Sequence, residues 1–139
     1  MSEPDPDHIR HLLQSIKTIA SIGLSANPER ESFQIDQYLV EQGYRVIPVN
    51  PMASEVFGEK AYPDLASVPE MPDVAQVFRK PEDAGPVVDQ VIAKGVKLLW
   101  FQEGTSDPVE AQRAREAGIE VIENLCMRAA HRFLINNQR

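Results

Sequence analysis

At 139 residues the chain is one domain of ordinary size, long enough to bury a core and too short for a second full lobe, which excludes a ligase or dehydrogenase with its own substrate domain. Hydrophobic residues make up 42% and charged residues 25%, the balance of a soluble globular protein, and no apolar run approaches the roughly 20 residues that span a bilayer. The formal charge of -7 comes from 5 basic against 11 acidic residues in 1–70 and 9 against 10 in 71–139, so neither half offers the positive stripe that nucleic acid requires. A single cysteine, Cys126, excludes an internal disulfide and a thiolate-rich zinc site, and His8, His11 and His131 lie near the two ends, so no metal is expected. The acidic start from Met1 to Asp7 lacks the order of a secretory signal, and a cytoplasmic location is expected.

In chain order, a helix is predicted over Asp7 to Ile16, then a strand over Thr18 to Gly23. Ile35, Tyr38, Leu39 and Gln42 follow helical spacing, and Tyr44 to Val49 reads as the second strand. Asn50 to Pro72 holds four prolines and reads as a loop with a short helix at Asp64 to Val68. Val74 to Phe78 is the third strand; Pro86 opens a helix with Val87, Val88, Val91 and Ile92 on one face. Val96 to Phe101 is the fourth strand, Asp107-Pro108 caps a helix with Glu110 at the capping-box position and Ala111, Ala114 and Ala117 on a small-residue face, Ile119 to Ile122 is the fifth strand, and Cys126 to Leu134 closes as a helix. Gly43, Gly95 and Gly118 each end a helix just before a strand, so one unit recurs: helix, tight turn, strand. Continuous apolar strands alternating with helices define an α/β fold, a Rossmann-like doubly wound parallel sheet of five strands with helices on both faces and ligands at the carboxyl ends of the strands.

Those strand ends hold the candidate site. After the first, Gly23 permits close backbone approach, and the amides near Ser25 with the next helix's N-terminus can bond a phosphate, Arg30 and Ser32 adding a charge and a hydroxyl. Only one glycine of the dinucleotide fingerprint is present, and a turn without ligand is the alternative. The second strand ends in Asn50 where a nicotinamide dinucleotide site places a carboxylate, which argues against NAD; Asn50 also suits a simple turn before Pro51. At the third end, Phe78 can stack on an adenine and Arg79 can grip a phosphate, or Phe78 is core and Arg79 solvated. At the fourth, Gln102 and the amides around Gly104 are candidate contacts, while Trp100 reads as core. Cys126 stands near a helix start, yet no His or Asp is spaced to activate it, and a buried inert thiol is the better reading. No catalytic residue is evident.

The run Ile22-Gly23-Leu24-Ser25, the stretch from Gly43 to Pro51, Asp73-Val74 with Val77-Phe78-Arg79, Trp100-Phe101-Gln102 with Gly104, and Ala117-Gly118 leading to Cys126 together resemble the small stand-alone CoA-binding proteins, relatives of the CoA-binding domain in the succinyl-CoA synthetase α subunit. The resemblance runs from about Lys17 to Cys126 and implies strand order 3-2-1-4-5 with coenzyme A or an acyl-CoA across the strand ends. It assigns Gly23, Ser25 and Ala26 to a phosphate turn, Arg30 and Ser32 to the phosphate region, Asn50 and Pro51 to the nucleotide wall, and Phe78, Arg79, Gln102 and Gly104 to the remainder. Two departures stand out: Glu31, where relatives often have proline, puts a negative charge beside the phosphates, and Leu125 removes a cation. The synthetases' histidine-loop domain has no residues to occupy here, so binding of a small nucleotide ligand is the function implied. A dinucleotide binder, or an enzyme using Cys126 on a thioester, is the alternative.

Overall fold

The computed structural model describes residues 5–136; the first four residues of the acidic start and the last three of the chain lie outside that range. In chain order, α1 (Pro6–Ser15) leads to β1 (Thr18–Ile22), α2 (Glu31–Glu41) and β2 (Arg45–Val49). A hairpin of β3 (Glu55–Val56) and β4 (Glu59–Lys60) and a 3-10 turn at Leu65–Ser67 come before β5 (Val74–Val77). Then follow α3 (Ala84–Lys94), β6 (Leu98–Phe101), α4 (Pro108–Glu116), β7 (Glu120–Ile122) and α5 (Met127–His131), which continues as a π turn over Arg132–Asn136. No described helix is long and apolar enough to cross a membrane.

The expected α/β class with a five-stranded parallel sheet is what forms, in the order β2-β1-β5-β6-β7. The pattern 3-2-1-4-5 is met with one reassignment. Its third place, outside β2, is taken by a single parallel bridge between Val49 and Tyr62, where the Asn50 amide donates to the Tyr62 carbonyl at 2.8 Å and the Tyr62 amide to the Pro48 carbonyl at 3.0 Å. With that edge covered, the Val74 run, expected third, pairs with the far side of β1 and becomes the fourth.

Strand alternation divides the core in two. Ala20, Ile22, Val49, Val77 and Phe101 face α3 and α4, whose Val87, Val88, Val91, Ala111 and Ala114 cover them. Ile19, Val46, Val74 and Trp100 face the other way, under Leu13, Ile35, Leu39 and Met127 of α1, α2 and α5. Trp100 is fully buried, as expected, and donates its indole N–H to the Leu125 carbonyl at 2.8 Å. On α3 the buried stripe is Ala84, Val87, Val88 and Val91, so Ile92, expected on the same face, lies at its edge and is 37% exposed. Asp107 caps α4 as expected, accepting from the Val109 and Glu110 amides; Glu110 binds Arg113 at 2.8 Å instead of completing the capping box.

The hairpin interrupts what reads as loop. Phe57 and Gly58 turn it with positive φ of 55° and 79°, and Phe57 is held there by its ring lying 4.6 Å from that of Phe33. The short helix expected near Asp64 is the 3-10 turn, capped by Asp64 accepting from the Ser67 amide.

Gly23 joins fold to rim. It follows β1 at φ 94°, donates its amide to the Val49 carbonyl at 2.8 Å, and a Cβ there would stand 3.1 Å from the Phe78 carbonyl oxygen. Backbone, not a movable side chain, fills that space. Gly23→Ala is expected to lower unfolding stability by at least about 1 kcal/mol, from the left-handed conformation alone, measured by urea denaturation; an unchanged midpoint would show that the β1 and β5 ends separate freely.

Candidate functional site

The carboxyl ends of β1, β2, β5 and β6 open on a cleft of about 580 Å³, inside the roughly 300–1,000 Å³ range of small-molecule sites. Of the residues expected there, Gly23, Ser25, Arg30, Ser32, Asn50, Phe78, Arg79 and Gln102 line it. Ala26, Pro51 and Gly104 stand on the same loops, exposed and outside the lining. The lining also takes in Glu31, Ile35, Met52, Lys80, Asp83, Glu103, Thr105 and Cys126. A second cavity of about 260 Å³, walled by Ile22, Val49, Pro63 and Val87, shares Arg79 and Asp83 with the first. Arg79 therefore stands where the two meet.

Each wall has a local cause. The turn after Gly23 is built from side-chain caps: the Ser32 hydroxyl accepts from the Ser25 amide at 3.1 Å, the Ser25 hydroxyl from the Asn27 amide at 3.0 Å, and Asn27 from the Glu29 amide at 3.0 Å. Helix α2 starts against this turn with Arg30 at its N-cap position making no capping bond, so its first amides lack a side-chain partner at the N-cap. An uncapped first turn favours an anion. Asn50 is consumed structurally, donating to the Leu24 carbonyl and accepting from the Met52 amide, both at 2.9 Å, which ties the β2 end to the β1 end. The turn role and the place on the cleft wall coincide in this residue.

Arg30, Arg79 and Lys80 form no ion pair among the described residues. Glu31, Asp83 and Glu103 share the lining with them, so the cleft mixes three cations with three carboxylates. Phe78 is half-buried and packs on the core below while one side borders the cleft. Cys126, at the N-cap of α5, is buried with its residue still reaching the lining. No histidine lines the cleft: His8 pairs with Glu120, and the His131 Nδ1 is engaged by the Tyr38 hydroxyl at 2.9 Å.

Beneath the rim lies a polar chain that sequence reading missed. Ser21 on β1 donates to Asp36 Oδ2 at 2.5 Å, Gln76 Nε2 on β5 donates to Asp36 Oδ1 at 2.8 Å, and Gln102 Nε2 donates to Gln76 Oε1. Asp36, Ser21 and Gln76 are wholly buried and Gln102 is 4% exposed. Burial pushes the Asp36 carboxyl up from 3.8 to about 7, against the bonds from Ser21 and Gln76 that favour its charged form. The signal was a polar residue inside each apolar run and an acid on the apolar face of a helix beside Ile35 and Leu39.

Comparison with known proteins follows the same outline. The family model described as a CoA binding domain matches residues 17–132. The uncharacterized protein YneT of Bacillus subtilis is 34% identical over 94% of this chain and 97% of its own. A hypothetical protein from Pyrococcus horikoshii superposes with a TM-score of 0.91 at 38% identity, covering 97% of this chain and 99% of that one. The dinucleotide-forming acetyl-coenzyme A synthetase 1 of Ca. Korarchaeum cryptofilum, in its apo form, superposes at 0.66 with 30% identity over 76% of this chain, which spans only 25% of that one.

The raised Asp36 value has a definite sign for stability. Between about pH 4 and pH 7 the folded protein keeps a proton that the unfolded chain has released, so stability falls as pH rises through that window. Asp36→Asn is expected to flatten this part of the profile in denaturant melts taken from pH 4 to 8; an identical slope in both proteins would assign the dependence to other groups.

Proposed function

The chain belongs to the CoA binding domain family, and we propose that its rim cleft holds coenzyme A or an acyl-CoA without performing chemistry on it. The observation that carries this reading is the junction at Arg79, a cation without an ion pair among the described residues, between a larger polar cleft and a smaller, more apolar cavity. A long ligand with charge in its middle and an apolar ring at one end suits such a pair of spaces. Its phosphates lie at the uncapped start of α2, beside the Ser25 amide region, Arg30 and Arg79; Phe78 and the Asn50 wall border the nucleotide. Ala26, Pro51 and Gly104 act as loop supports in this arrangement. The likeness to an acetyl-coenzyme A synthetase covers a quarter of that chain and supports the ligand class.

Dialysed protein is expected to gain thermal stability with CoA, by about 2.7 kcal/mol at a hundredfold excess over Kd; a gain with NAD and none with CoA would move the assignment to a dinucleotide. Arg79→Ala is expected to weaken CoA roughly 10- to 100-fold, the range of a lost charge-assisted hydrogen bond, in calorimetric titration. Glu31→Gln is expected to tighten it about two- to threefold at low salt, an exposed-charge effect that salt should erase.

The place of Cys126 on the lining favours one second reading, an enzyme acting on a thioester. Rapid thiol labelling at neutral pH, blocked by CoA, supports it, and slow labelling returns Cys126 to a packing role.

A further inference from the structure

Two amide groups and one carboxyl set the polarity of the cleft floor. Asp36 offers acceptors to its neighbours when ionised, so Gln76 must turn Nε2 toward it, and the bond is 2.8 Å. Gln76 Oε1 is thereby left facing Gln102, which must answer with its own Nε2. Only Oε1 of Gln102 remains. Among the described residues it has no partner, while no sealed side-chain polar atom there lacks one, so this oxygen opens to the cleft that Gln102 lines. An otherwise buried side chain thus aims a single unpartnered acceptor into the site.

We infer that Gln102 presents a carbonyl oxygen to the cleft, turned that way by Asp36 acting through Gln76, and that the site thereby selects a ligand group donating a hydrogen bond at that point, an N–H or an S–H. The donor preference rests on the proposed ligand; the amide polarity does not. Asp36 touches no ligand and is a positioning residue, with its effect relayed through two side chains. Ser21 completes the anchor by donating to Asp36 Oδ2 while Gln76 Nε2 holds Oδ1, so the carboxyl cannot rotate without breaking both, and Ser21 also accepts from Gln76 Nε2 at 3.3 Å. The polarity follows from this order of bonds. Asparagine at 36 lifts that constraint, because it brings a donor as well as an acceptor: with its amide nitrogen donating to Gln76 Oε1, Gln76 Nε2 donates to Gln102 Oε1, and an N–H faces the ligand where an oxygen had been.

The test uses the full chain at pH 8, where Asp36 is mostly ionised. In glutamine-labelled wild-type protein without ligand, the Gln102 side-chain amide signal, identified by its loss in Gln102→Met, is expected to exchange slowly with water. Exchange as fast as that of an exposed glutamine overturns the assigned polarity, and this readout needs no folded Asp36 variant and no ligand. For the ligand, CoA titrations of wild type, Asp36→Asn, Gln102→Met and the double variant are compared. Asp36→Asn is expected to weaken CoA roughly tenfold in the wild-type background and to have no further effect once Gln102 is Met. Equal weakening in both backgrounds, or none in either, overturns the relay. The same loss with acetyl-CoA assigns the donor to an N–H, and a loss confined to CoA assigns it to the thiol. If wild type binds no CoA, the ligand reading and the donor preference fail together, and the exchange result still decides the polarity.

Discussion

One desolvated carboxyl holds the working edge of this molecule together. Asp36 has no solvent exposure, and its two oxygens take bonds from neighbouring strands, Ser21 on β1 and Gln76 on β5. A single side chain thus pins α2 to the sheet at a fixed height and rotation. The start of α2 is one wall of the cleft, so the position of Arg30, Glu31 and Ser32 relative to Gly23 follows from a bond made a turn further along the helix. Apolar packing of Ile35 and Leu39 alone would hold the helix down but would tolerate a slip along its axis. The directional bonds remove that freedom.

Close backbone approach supplies the second constraint. Gly23 lets the β1 end lie against the Phe78 carbonyl, and Asn50 bonds the β1 and β2 ends together through Leu24. Three loop tips are thereby gathered on one rim. The cleft is a consequence of where β1 stops, second of the five strands, with partners on both sides.

Most of the architecture was legible in the residues because parallel strands covered on both faces leave an unmistakable mark, the uninterrupted apolar run of Val46-Ile47-Pro48-Val49 or Leu98-Leu99-Trp100-Phe101. Helix ends at Gly43, Gly95 and Gly118 were legible for a local reason as well, and the structure places all three at positive φ. The site was partly legible: eight of the proposed contacts line the cleft because strand ends in such a sheet must converge. The misses share a cause. The β3–β4 turn puts Phe57 at a positive φ that bulky residues seldom adopt, with its ring packed on that of the distant Phe33, and no local pattern encodes that. Likewise Ser21, Asp36 and Gln76 look like isolated polar interruptions until the fold stacks them, since hydrogen-bond partners 40 and 55 residues apart have no sequence spacing to betray them.

The bridge at Tyr62 also bears on how the sheet meets other chains. A parallel sheet has two rims of unpaired backbone, each a template on which a foreign strand can grow. Here the β2 side is partly sheathed by the Tyr62 segment, whose pairing with Pro48 and Asn50 occupies part of that ladder. The opposite side ends in β7, three residues long, with Glu120 at its start bonded to His8. One rim is partly covered and the other is short with a charged residue at its start, two features that work against recruitment of a foreign strand.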